Sequence, residues 1–109
     1  LISPFGGAVG RVAEDATAFS HRDTQYQIEI SSGWENAALS DGNVQWCRNY
    51  WEALDPFTSG GFYVNFVVDQ GQQQVNENYR GNFDRLVALK NKYDPTNFLR
   101  LNANIEPTV

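Results

Sequence analysis

The sequence has 109 residues and a mass of 12.3 kDa, which suits one small domain with a single core. Its 41% hydrophobic and 14% aromatic content is too rich for a disordered chain, and a formal charge of -5 with only 8 Lys and Arg excludes a nucleic-acid backbone as partner. No apolar run approaches the roughly 18 residues needed to cross a bilayer, and one cysteine with one histidine cannot make an internal disulfide or a Cys/His zinc cluster.

The start, Leu1-Ile2-Ser3-Pro4-Phe5, lacks the basic region and long apolar stretch of a signal peptide and has no Met, which reads as a truncated or processed chain. The lone cysteine and absent signal fit a cytoplasmic setting. Phe5 to Val12 is glycine-rich, but no helical pattern follows it, so it reads as a turn leading into a strand rather than a phosphate-binding loop. A polar connection through His21-Arg22 leads to Tyr26–Ser32, where Tyr26, Ile28 and Ile30 alternate with Gln27, Glu29 and Ser31. That period predicts a strand with its apolar face packed and its polar face free.

Glu35 to Gly42 is a loop in which Ser40 or Asp41 can cap a helix carried by Val44, Cys47, Trp51 and Leu54 and stopped by Pro56. Cys47, among Trp46, Tyr50 and Trp51, reads as a packed, inert thiol, and Trp34, Trp46 and Trp51 read as core. Gly60-Gly61 breaks the chain before Phe62–Val68, whose aromatic and β-branched content predicts a second strand. Asp69 to Gln74 reads as a turn. From Val75, apolar residues at Tyr79, Phe83, Leu86, Leu89 and Tyr93 predict one long helix, ended by Asp94-Pro95. The expected fold class is α+β, with antiparallel strands covered on one face by two main helices.

Three blocks, taken in order, carry a family resemblance. They are Gly6-Gly7-Ala8 through Ala18-Phe19-Ser20-His21-Arg22, then Tyr63-Val64-Asn65-Phe66, then Asn82-Phe83-Asp84-Arg85-Leu86 with Tyr93-Asp94-Pro95-Thr96-Asn97-Phe98-Leu99-Arg100-Leu101-Asn102 and Asn104-Ile105. Together they resemble the C-terminal segment of berberine bridge enzyme-like, FAD-linked oxidoreductases. The resemblance implies one segment over residues 1–109, a fragment of a substrate domain plus a tail returning to the chain's own N-terminal FAD domain, which is absent here. It implies FAD as cofactor, with the main site upstream, and a polar small molecule, such as a sugar or a secondary metabolite, as substrate. It also implies that the fragment alone is inactive, and that its uncovered apolar surface makes the isolated chain a homodimer.

The resemblance carries over only in part. Where many relatives of this kind have a tyrosine base after the asparagine of the second strand, this chain has Phe66, which cannot take a proton, and the carboxylate base of berberine bridge enzyme aligns at or beside Gln27. Glu29 is the remaining acid on that strand's polar face and the candidate base, with Gln27 as a substrate contact. Tyr63 is a candidate contact to substrate and cofactor, and Asn65, Asn102 and Asn104 are candidate cofactor contacts. His21-Arg22 reads as a structural pair. A non-catalytic binding or self-assembling module is the alternative.

Overall fold

The computed structural model of the chain describes residues 1–66, 71–101 and 103–109. Among these residues the fold is α+β, with two antiparallel strands and three α-helices. The chain forms two compact units, one from Leu1–Gly6 with Thr24–Gly60 and the other from Gly7–Asp23 with Gly61–Val109.

In the first unit, β1 (Ile2–Pro4) pairs with β2 (Tyr26–Ile28) in the register Ile2 to Ile28, Ser3 to Gln27 and Pro4 to Tyr26. Phe5 N donates to Gln25 O and Glu29 N to Leu1 O, each at 2.8 Å, so the ladder continues one residue beyond each end. Two expectations are corrected. The strand partner precedes the glycine-rich segment rather than following it, and β2 is three residues rather than seven because β1 offers no longer partner. The alternation holds, but its sense is inverted: Gln27 is the half-buried residue, and Tyr26 and Ile28 are exposed.

Helix α1 (Ser40–Leu54) follows the predicted spacing, and Asp55–Phe57 tightens into a 3₁₀ turn at Pro56. Its entry is held differently from the expectation. Asn36 caps the preceding turn by accepting from Ala38 N at 3.0 Å, whereas Ser40 Oγ accepts from the Trp34 indole at 2.8 Å. Trp46 and Tyr50, one turn apart, face each other with centroids 5.3 Å apart. The three tryptophans are not core. They are 38–52% exposed, because one helix and two three-residue strands supply too little surface to cover them.

The second unit holds α2 (Gln72–Asn78) and α3 (Phe83–Tyr93). The single long helix expected from the apolar period is broken between them. Arg80 takes a left-handed backbone, φ 48°, as the first residue of the 3₁₀ turn Arg80–Asn82, and its guanidinium bonds Asp23 at 2.9 Å. Periodicity alone cannot register such a break, because the stripe resumes in phase at Phe83.

The predicted strand over Phe62–Val68 is also overridden where the structure describes it; Val67, Val68 and the start of the predicted turn, Asp69 and Gln70, lie outside the described residues. Val64–Phe66 is a 3₁₀ turn closed by Phe66 N donating to Tyr63 O at 2.9 Å, while Phe62 N donates to a side chain, Asn78 Oδ1, at 2.8 Å. Amides spent this way cannot join a ladder.

Among the described residues the interior of this unit is mostly polar. Val75 is its one buried apolar residue, beside buried Ser20, His21, Asn78 and Asn82. Asn82 Nδ2 donates to Glu14 O, Thr17 O and Ser20 Oγ, and Ser20 Oγ donates to Tyr79 O, so the segment before β2 is stitched to both helices.

Asp94 ends α3 as its sequence predicts. Its carboxylate accepts from Lys90 Nζ at 2.5 Å, Phe98 N at 2.8 Å and Leu99 N at 2.9 Å, and Lys90 also donates to Leu99 O. The hydrogen bond from Lys90, with the two amides, holds the Asp94 carboxyl below its ordinary 3.8. A depressed folded-state pKa means that this stabilisation is complete above the ordinary value and is lost as pH falls through the lower folded one. Asp94→Asn is therefore expected to lower stability at neutral pH and to flatten the acid limb of a stability–pH curve read by urea unfolding. An acid limb unchanged in the variant would contradict this.

Candidate functional site

The stretch from Phe62 to Asn65 and the segment from Ala18 to His21 line an open cleft of about 230 Å³ in the second unit, with Asn78 and Tyr79 completing it. Gly61 makes the approach possible. At φ 85° it lies against the His21 imidazole, where an added Cβ would sit 2.9 Å from both ring nitrogens. His21 Nε2 lies 2.8 Å from Asn78 Oδ1 and 3.0 Å from Asn78 O. Because Phe62 N–H donates to the same Oδ1, that atom is an oxygen, and Nε2 must carry the proton. His21 is thus buried and committed to holding the cleft wall, the structural role expected of it. Arg22 lies over the Phe19 ring at 4.9 Å and bonds Thr17 Oγ1, which ties down its own segment rather than a strand.

Tyr63 and Asn65 come together through a turn rather than a strand: Asn65 Nδ2 donates to Tyr63 Oη at 3.0 Å. The Tyr63 ring meets Phe19 edge-on at 6.1 Å and Phe66 at 5.2 Å. Burial pushes the pKa of the half-buried Tyr79 phenol up.

The other candidates belong elsewhere. Gln27 and Glu29 are in the first unit, Gln27 on β2 and Glu29 exposed just beyond it. Asn104 is tied by its backbone, which accepts from Gln72 Nε2 at 2.8 Å, while its own side-chain oxygen is buried with no hydrogen bond. Asn102 lies outside the described residues. Phe19, His21, Asn78 and Tyr79 were not anticipated as one site. The signal available for them was a pair of asparagines four apart, Asn78 and Asn82, on the inward face of a helical pattern, downstream of Gly60-Gly61.

These features fit only part of an FAD. The Asn104 oxygen, the Asn65 amide and the Tyr63 phenol are the donors and acceptors a flavin ring edge takes. The glycine-rich opening, by contrast, runs into 3₁₀ turns at Val9–Arg11 and Glu14–Ala16, not into the α-helix N-terminus that would cradle a diphosphate. Among the described residues no group of three His, Cys, Asp or Glu is placed to hold a metal, and no helix is long and apolar enough to cross a membrane.

Residues 62–106 match the family model described as berberine and berberine like, so the chain is similar to a segment of the berberine bridge enzyme-like, FAD-linked oxidoreductases, as its motifs imply. Among individual relatives, it is 36% identical over 105 residues to an uncharacterized FAD-linked oxidoreductase of Bacillus subtilis, a match that takes in 95% of this chain and 23% of that protein. Berberine bridge enzyme-like 24 of Arabidopsis thaliana is 32% identical, with 96% of this chain and 23% of the relative covered. Tetrahydroberberine oxidase of Berberis wilsoniae is 29% identical, with 98% and 23% covered. The chain thus spans about a quarter of the length of these relatives.

Proposed function

We propose that this chain is the substrate- and flavin-covering part of an FAD-dependent oxidoreductase that takes a hydride from a polar small molecule, and that it does not turn over alone. The observation that carries this reading is the match of nearly the whole chain to about a quarter of each FAD-linked relative. Residues 1–109 then form one C-terminal segment, and an N-terminal FAD domain is its partner. FAD, when bound, supplies the hydride acceptor. Tyr63, Asn65 and Asn104 present polar atoms to the cofactor or substrate, Gln27 contacts substrate, and Glu29 takes the proton released as the C–H bond is oxidised. Asn102 remains a proposed cofactor contact on the resemblance alone.

The test is a chimera in which this chain replaces the matching segment of the Bacillus subtilis relative. The chimera should retain flavin through gel filtration, and the chain alone, mixed with FAD, should not. A folded but flavin-free chimera, or a flavin-retaining isolated chain, would sink the proposal. In the chimera, Glu29→Gln should slow flavin reduction, measured across a panel of primary alcohols and sugars, at least about a hundredfold if Glu29 is the base. An unchanged rate removes Glu29 from that role.

The exposed aromatics of α1, with Phe98, Leu99 and Leu101 at 72–88% exposure in the tail, support the second reading, a self-assembling module. The isolated chain is expected to dimerise. Light scattering that finds a monomer from micromolar to millimolar concentration would contradict that.

A further inference from the structure

We infer that the free edge of β2 is a self-association site, pairing antiparallel with β2 of a second copy of this chain to give a sheet in the order β1-β2-β2-β1. This rests on the self-assembling reading above and names the surface that reading uses.

The direction of the backbone groups is the first argument. In an antiparallel ladder, successive residues turn their amide and carbonyl to opposite sides. Phe5 N donates to Gln25 O and Glu29 N to Leu1 O, so Gln25, Gln27 and Glu29 face β1. Tyr26, Ile28 and, just past the strand, Ile30 therefore turn their backbone groups outward, and among the described residues no further strand pairs with them. The outer edge of β1 is different. Its outward residues are Ile2 and Pro4, and a proline has no N–H to give. One edge of the sheet is thus blocked in the way natural edges are, while the other, with no proline, lysine or arginine from Tyr26 to Ile30, is open.

The second argument is self-complementarity. With Ile28 opposite Ile28 of the second copy, Tyr26 faces its Ile30, and each outward amide meets an outward carbonyl. These are the β-branched and aromatic cross-strand pairs that stabilise sheets, and they partly cover Tyr26 and Ile28, which are 66% and 38% exposed. On the other face Glu29 falls opposite the neutral Gln27 of the second copy, so the two carboxylates are not opposed. Centring the pair on Glu29 would set like charges face to face, and centring it on Gln27 would leave Ile30 unpaired. The two-fold pairing uses up both open edges and leaves only the Pro4 edges outside, so assembly closes at a dimer instead of growing. A contact running from Tyr26 to Ile30 is smaller than the roughly 800 Å² per partner of a standard interface. The dimer should therefore form between micromolar and millimolar concentration.

The test is light scattering of the full chain combined with amide hydrogen exchange across that range. The amides of Tyr26, Ile28 and Ile30 should become protected in step with dimer formation, while that of Gln27, which faces β1, is protected throughout. Gln27→Glu, which opposes carboxylates twice across the interface, should raise the dimer dissociation constant about fivefold, and Gln27→Lys should lower it by a similar factor, both effects shrinking in salt. Ile28→Pro removes the central outward amide and should give a monomer; the Gln27 variants keep every backbone group and report on the same edge if the proline variant fails to fold. Pro4→Val, which unblocks the outer edge, should carry assembly past a dimer. A dimer whose three outward amides exchange as in the monomer, that tolerates Ile28→Pro, or that is weakened by Trp46→Ala and indifferent to both Gln27 variants would overturn the inference while leaving self-assembly standing. A monomer at millimolar concentration overturns both. Protection of the same amides in a monomeric, flavin-loaded chimera but not in the isolated chain would give the edge to an upstream strand, and that too overturns the inference.

Discussion

Gly61→Ala is expected to destabilise the second unit by about 3 kcal/mol, the sum of a left-handed backbone forced on an L side chain and an overpacked contact. The positive φ of 85° alone makes alanine unfavourable there. The new methyl would in addition be driven into the His21 ring, 2.9 Å from both nitrogens. His21 has nowhere to retreat, because its Nε2 is held by Asn78. Gly60 is the natural control. Its φ is 72°, but nothing lies within 4 Å of its Cβ position, so Gly60→Ala should cost only the backbone part, about 1 kcal/mol. Urea unfolding followed by amide exchange in α2 measures both. Equal costs for the two variants would show that the glycine–imidazole approach contributes nothing.

The contrast between these glycines also indicates what sequence can convey. Gly60-Gly61 announces a break, and the break is there, but the reason for the second glycine lies 40 residues upstream in His21, which no local pattern exposes. Where structure follows from local repeats it was legible. Helix α1 obeys its 3.6-residue period up to Pro56, and α3 stops at Asp94-Pro95. Where a tertiary hydrogen bond competes with local preference, the preference loses. The β-rich Phe62–Phe66 is bent into a turn because Asn78 captures the amide of Phe62. The three tryptophans were assigned to a core on composition, yet a chain with so few elements per unit has no surface to bury them. At the candidate site, Tyr63 and Asn65 were legible as neighbours two residues apart. Phe19, His21 and Tyr79 were not, since the first two arrive from a segment more than 40 residues away and Tyr79 from the far end of α2.

Asn78→Ala is expected to cost about 3 kcal/mol, the upper range for leaving buried donors unpaired. One oxygen there accepts twice, from His21 Nε2 and from Phe62 N, both at 2.8 Å, and Asn78 itself is 7% exposed. Alanine has better helix propensity than asparagine, so local helix energetics favour the variant by a few tenths of a kcal/mol. Any large loss must therefore come from the orphaned donors and the space left behind. His21 keeps the Asn78 backbone oxygen at 3.0 Å, whereas Phe62 keeps no acceptor that this geometry supplies, so the damage should concentrate on the turn that carries Tyr63 and Asn65. Gln73→Ala, on the exposed face of the same helix, is the comparison, and it should change stability by no more than about 0.5 kcal/mol. Hydrogen exchange at Phe62 and Phe66 distinguishes the outcomes. Faster exchange there, with α3 still protected, follows if Asn78 is the post on which the cleft wall hangs. Unchanged protection in the Phe62–Phe66 turn would mean that the turn closes on itself through Tyr63 O alone, and that the inward asparagine is only filling space.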